Sequence, residues 1–224
     1  MAAGGDAIAG NSQPGSTEAD ERLVLVHGAT SGPWVFDHWP EAFPALDVRA
    51  PDLQARLDVA RARMTDYVDR VLDAAGDRPS VVCGWSMGGL VALMAAQQSQ
   101  LAALVVLEPS LPLQLSRADP LRELRSGTYD AESAYGPLPP GTRSRPESLR
   151  ALDERKRGIS VPSVDCPVLV VAGRTGGAEG RSVARQYAAD LLEFPDLGHS
   201  DLVADARVPA GIASWLQRLH TARP

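Results

Sequence analysis

One pentapeptide constrains this chain more than any other feature. Gly84-Trp85-Ser86-Met87-Gly88 is a G-x-S-x-G sequence set between an apolar run, Ser80-Val81-Val82-Cys83, and an Ala-rich stretch from Gly89 to Gln98. The apolar run is short and bounded by turn residues, which predicts a buried strand. The stretch after the pentapeptide is rich in strong helix formers, which predicts a helix. A strand that turns sharply into a helix strains the backbone of the serine at the turn. The flanking glycines matter because a Cβ there would clash where helix and strand nearly touch. The strain lifts the Ser86 hydroxyl above the sheet edge, and the new helix points its N-terminus at the same place. A Gly-rich turn with an exposed serine is the plainer reading; the strand and helix on either side weigh against it.

The rest of the chain repeats the strand–helix rhythm. Strands are predicted over Arg22–Val26, Leu46–Arg49, Ser80–Cys83, Ala103–Leu107, Val168–Ala172 and Leu191–Phe194. Helices are predicted over Trp34–Glu41, Leu57–Ala75, Gly89–Gln98, Ser182–Ala189 and Val208–Leu219. The strands are rich in Val and Leu without clean alternation, as strands covered on both faces should be. The expected fold class is α/β, a mostly parallel sheet of about six strands with helices on both faces. The rhythm breaks between Leu107 and Val168, where Pro, Arg and Ser are frequent and β character is low. A structureless loop of that length does not suit a compact domain. Residues 109–166 are therefore expected to form a small inserted cap, with helical pieces at Leu121–Arg125 and Glu147–Lys156 and a flexible tip over Gly136–Gly141. The core is expected over 22–108 and 167–221. Residues 1–21 read as a disordered tail.

Charge and cysteine usage narrow the partners. The net charge is −6 and the 22 basic residues are scattered. There is no basic stripe for nucleic acid and no basic amphipathic helix for a membrane surface. No apolar run approaches the roughly 18 residues of a membrane span, and residues 1–21 lack the basic start and apolar centre of a secretory signal. Cys83 ends one predicted strand and Cys166 begins another, at opposite edges of a parallel sheet, so two free thiols and a cytoplasmic location are expected.

Two further motifs bear on chemistry. Leu23-Val24-Leu25-Val26-His27-Gly28 ends the first strand in a His-Gly turn, followed by the loop Ala29-Thr30-Ser31-Gly32-Pro33-Trp34. Late in the chain stands Pro195-Asp196-Leu197-Gly198-His199-Ser200. With the G-x-S-x-G turn, these resemble the α/β-hydrolase family from about Leu23 to Leu219, leaving out the family's first two strands. The resemblance implies that Ser86 is the nucleophile and that the N–H groups of Met87 and Ala29 form the oxyanion hole. A tetrahedral intermediate develops one oxyanion, and losing one such donor typically costs about 10²–10³ in rate. The resemblance also gives His27 a structural place in the loop.

A serine hydroxyl needs a base to become a nucleophile. Of His27, His38, His199 and His220, His199 fits best, on a loop after the last predicted strand and in the family's order. His38 reads as surface or pocket wall, and His220 belongs to the tail. An acid must fix the histidine tautomer and stabilise the imidazolium. The family usually places it after the strand Val168–Ala172, but the loop there reads Gly173-Arg174-Thr175-Gly176-Gly177-Ala178-Glu179, with Gly176 at the usual Asp position. Two replacements stand open. Glu108 ends the strand next in sequence to the one feeding Ser86, on the same sheet edge, where some α/β-hydrolases place their acid. Glu179 lies a few residues along the usual loop. Glu108 is preferred, since a charge ending so apolar a strand is costly unless paired. Trp34, Trp85 and Met87 flank the site and read equally as apolar pocket or core.

The leading expectation is a serine hydrolase acting on a small-molecule carboxylic ester or lactone, with no cofactor and no metal. Acyl transfer, thioester hydrolysis and C–C cleavage use the same groups, because fold does not settle reaction. A non-catalytic ligand-binding protein is the alternative of another class. The missing acid at Gly176 favours it, and Glu108 opposes it.

Overall fold

The central strands share one alternation. In β1 (Arg22–Val26), Leu23 and Leu25 pack to one side while Val24 and Val26 pack to the other. The same holds for Val81 and Cys83 against Val82 in β3 (Ser80–Trp85), following β2 (Asp47–Arg49). It holds again in β4 (Ala103–Leu107), where Val105 and Leu107 oppose Leu104 and Val106. Side chains of period two that are apolar on both faces demand a cover on each side. That is why the sequence shows no polar alternation.

The computed structural model describes residues 21–138 and 140–222. Its main sheet has six strands in the order β2-β1-β3-β4-β7-β8, with β7 at Val168–Gly173 and β8 at Asp190–Phe194. Every pairing in it is parallel. On one face lie α1 (Met64–Ala75), α2 (Met87–Ala96) and α5 (Gly177–Gln186). On the other lie α6 (Asp201–Ala204) and α7 (Arg207–Ala222), with Phe36, Trp39 and Phe43. The fold is the expected α/β class. Among the described residues no helix is long and apolar enough to cross a membrane. The tail expected over residues 1–21 lies, up to residue 20, outside the described residues, as does Pro139 in the expected flexible tip.

Several boundaries differ from expectation for identifiable reasons. The helix expected over Trp34–Glu41 is two separate 3-10 turns, Pro33–Phe36 and Trp39–Ala42. Pro40 has no N–H to continue the first turn and starts a second instead. The helix expected from Leu57 begins only at Met64. The carbonyls of Ala60 and Ala62 are taken by Gly127 N–H at 2.7 Å and Ser148 Oγ at 2.6 Å, so the preceding residues remain turns. The α5 helix starts earlier than expected, at Gly177. It ends earlier too, as the chain passes through Ala188 at φ 48°.

Between β4 and β7 the chain forms a two-stranded antiparallel ribbon, β5 (Thr128–Tyr129) with β6 (Glu147–Ser148), and two helices, α3 (Ala131–Tyr135) and α4 (Leu149–Arg157). Ser148 caps α4, so that helix begins after Glu147 and not at it. Leu121–Arg125 is not helical. Its groups turn instead onto the buried carboxylate of Asp153, which takes Arg122 Nε at 2.6 Å, Arg125 Nη2 at 2.7 Å and Arg125 N–H at 3.0 Å. The segment is tied to the core where Glu154 accepts from Met64 N–H at 2.9 Å, capping α1.

Candidate active site

Ser86 stands between β3 and α2 with φ 58° and ψ −120°, a left-handed conformation that a side chain rarely adopts. The turn is held on both sides. Ser86 N–H donates to Leu107 O at 3.0 Å, and Ser86 O accepts from Gly89 N–H at 3.0 Å and Ser110 N–H at 2.8 Å. The glycines are required by close approach: a Cβ on Gly84 would lie 2.2 Å from Gly88 O, and one on Gly88 2.2 Å from Val26 O. Of the five non-glycine residues with positive φ among those described, three (Thr30, Ser86 and Glu108) belong to this region, so backbone strain concentrates where the chemistry is expected.

Glu108 follows β4 directly, on the same sheet edge as Ser86. Its Oε2 lies 2.6 Å from His199 Nδ1. Its Oε1 accepts from the backbone N–H of Gly173 and of Gly176, each at 2.9 Å. Burial alone would raise the pKa of this carboxyl. The His199 hydrogen bond and the two backbone N–H groups outweigh it and hold the pKa below the usual value. An ionised carboxylate only accepts, so Nδ1 carries the proton and Nε2 of His199 is left as the acceptor. Glu179, the rival acid, is exposed on the first turn of α5 and makes no hydrogen bond to His199; it lines a small cavity of about 160 Å³ that Glu108 and His199 also border.

His199 is held from a second direction. Trp85 Nε1 donates to His199 O at 3.0 Å, and the two rings lie 5.2 Å apart at 34°. Trp85 therefore supports the histidine as well as lining the pocket. Ser86, His199, Trp34 and Trp85 all line one cavity of about 630 Å³, together with Ala29 and His38. Met87, by contrast, is fully buried beneath the turn. Its N–H heads α2, where a helix has no internal acceptor to offer. His220 pairs with Glu21 at 2.9 Å, apart from this site.

The loop carrying Ala29 is braced by His27 and by residues the sequence did not single out. His27 is buried; its Nδ1 donates to Gly28 O at 2.9 Å and its Nε2 accepts from Leu53 N–H at 3.2 Å. Burial pushes its pKa down to about 4; the Gly28 carbonyl opposes this and the Arg145 charge adds to it. A neutral imidazole bonded at both nitrogens is a strut, in keeping with its expected structural place. Arg145, from the segment between β4 and β7, donates through Nε to Ser31 O at 2.8 Å and forks onto Asp52 at 2.9 and 2.6 Å. Its backbone N–H donates to Thr30 O at 2.9 Å. The buried Glu147 accepts from Tyr67 OH and from Thr30 N–H. Polar pairs this distant in sequence leave no periodic signal.

A parallel sheet with a strained serine between strand and helix, and a carboxylate-bonded histidine on a neighbouring loop, defines a protein of the α/β-hydrolase type. Residues 23–213 match the model of the alpha/beta hydrolase family, and the chain belongs to that family. It is 32% identical over 219 residues to the pimeloyl-[acyl-carrier protein] methyl ester esterase of Aromatoleum aromaticum, covering 90% of this chain and 86% of that one. A shorter similarity, 36% over 104 residues, joins it to lipase LipV of Mycobacterium tuberculosis; it takes in 43% of this chain and spans 40% of LipV. Among solved structures, Est1E from Butyrivibrio proteoclasticus with ferulic acid bound shares the fold at a TM-score of 0.67, with 17% identity over 91% of each chain.

Proposed function

We propose that the chain is a serine hydrolase that cleaves a carboxylic ester or lactone through an acyl-enzyme. The observation that carries the reading is the 2.6 Å bond between Glu108 and His199, beside a left-handed Ser86 that lines the same cavity as the histidine. It supports this reading over a binding protein, because the Glu108 carboxylate can stand in for the one absent at position 176. The esterase and lipase names of the relatives support the same class.

In this mechanism His199 Nε2 takes the Ser86 proton as Oγ attacks the ester carbonyl. The N–H groups of Ala29 and Met87 hold the developing oxyanion. Collapse breaks the C–O bond, and the proton on Nε2 passes to the leaving alkoxide. Water, deprotonated by the same nitrogen, then attacks the acyl-enzyme and frees the acid and Ser86. Glu108 stays ionised throughout and stabilises the imidazolium. The segment 109–166 acts as the cap over a small-molecule acyl substrate. The two free thiols support a cytoplasmic setting.

Labelling with a fluorophosphonate probe, followed by peptide mass spectrometry, tests the reading. The expected result is a label on Ser86 that disappears in His199→Ala. A folded protein that takes no label and hydrolyses no short ester overturns it.

A further inference from the structure

The cavity over Ser86 has an uneven charge pattern. No Asp or Glu lines it among the described residues, and Arg143 is the one Lys or Arg that does. Much of the remaining wall is apolar, with Trp34, Val35, Trp85, Leu138 and Val203 contributing. Arg143 lies over the Trp34 ring, its Cζ 3.9 Å from the centroid. The neighbouring Arg145 is 5.3 Å from the same ring, but its charge is already met by the fork onto Asp52. Arg143 has no carboxylate partner among the described residues, although the chain carries 28 acids against 22 basic residues.

A guanidinium stacked by its face on an aromatic ring keeps its edge N–H groups available. Those donors match the oxygens of a carboxylate or phosphate, and such charge-assisted bonds are stronger than neutral ones. We propose that Arg143 is an anion subsite at the rim of the cavity, and that the substrate is an ester whose acyl chain ends in an oxyanion remote from the scissile bond. The apolar wall takes the chain, Ser86 takes the ester, and Arg143 takes the far end. The inference rests on the ester-hydrolase reading for the word ester, but the subsite itself is a matter of binding.

The test therefore separates the two. Ser86→Ala protein, which keeps the cavity and cannot acylate, is titrated with the 4-nitrophenyl half-ester of octanedioic acid, with 4-nitrophenyl octanoate, and with the octanoate bearing a terminal phosphate. The expected result is that at least one anionic ligand binds about tenfold more tightly than the neutral one, as for a hydrogen-bonded charge that solvent partly screens. Which of the two does so identifies the oxyanion. In Ser86→Ala/Arg143→Gln the ratio should fall to about one, and Arg143→Lys should retain part of it because the charge remains while the planar stack is lost. The ratio should also shrink as salt is raised to about 0.5 M. Equal affinity for all three ligands, or a preference that survives Arg143→Gln, overturns the subsite. Turnover of the neutral octanoate by the Ser86 protein reports on the hydrolase reading alone. Its absence beside an Arg143-dependent preference would leave the subsite standing and remove the esterase.

Discussion

Glu108 and Gly176 exclude each other's side chains. A Cβ built on Gly176 would lie 2.5 Å from Glu108 Cδ and 2.6 Å from its Oε1, and the Gly176 N–H donates to that same oxygen at 2.9 Å. The position where the family usually carries its acid holds no side chain here, and the Glu108 carboxylate, reaching across from the end of the neighbouring strand, fills that space. The glycine is thus part of how Glu108 is held.

Gly176→Ala should therefore behave as a Glu108 variant. Gly176 has φ −101°, which alanine tolerates, so the effect comes from displacing the carboxylate and not from backbone strain. Ester turnover should fall about tenfold or more, through misplacement of His199. The pair Glu108→Gly/Gly176→Asp moves the acid to the usual position and should recover part of what Glu108→Gly alone loses. Steady-state kinetics on one ester decides the matter; Gly176→Ala with wild-type kcat would show that the carboxylate has room to move.

Arg145 should act on the oxyanion loop without touching substrate. Its side chain fixes Ser31 O and Asp52, and its N–H fixes Thr30 O, next to the proposed donor at Ala29. Arg145→Ala should lower kcat about tenfold while KM stays within about twofold, because a displaced donor weakens transition-state binding more than substrate binding. A boronic-acid inhibitor should lose affinity in step with kcat. Equal loss in KM, with the inhibitor unaffected, would mean that Arg145 merely shapes the pocket.

Trp85→Phe removes one hydrogen bond and keeps the ring beside His199. The indole N–H holds His199 O at 3.0 Å, so its loss should cost about threefold in kcat, within the range of a single neutral hydrogen bond. Trp85→Ala removes the ring support too and should cost distinctly more. If both variants match the parent enzyme, the bond to Glu108 alone orients the histidine.

What the sequence disclosed follows from range. Strand–turn–helix at Ser86 is local, and so is the apolar strand that ends in Glu108; both were readable, as was the parallel sheet. His199 stood out because few histidines compete and it alone lies in the loop directly after the last strand, His220 falling near the end of α7. Helix ends failed where distant groups claim the backbone, as Gly127 and Ser148 do at Ala60 and Ala62. The bracing of the loop by Asp52, Arg145 and Glu147 was invisible for the same reason. Its partners lie far apart in sequence, and pairing between isolated charges has no period.

Acid stability gives a last test, at Asp153. The Arg125 side chain, first among its partners, then the Arg125 backbone N–H and Arg122, hold this buried carboxyl far below the usual value against the opposing effect of burial. The folded pKa is lower than the unfolded one. The contribution is therefore complete above the unfolded value of about 3.9 and is lost as pH falls through the folded value. The two guanidinium groups are 30% and 45% exposed, so solvent screens part of the pairing, and Asp153→Asn should cost about 2 kcal/mol at neutral pH. Thermal melts of both proteins should show their Tm gap steady from pH 7 to about 5 and narrowing below about pH 4. A gap that persists unchanged at pH 2 would show that Asp153 contributes through shape and not through its charge.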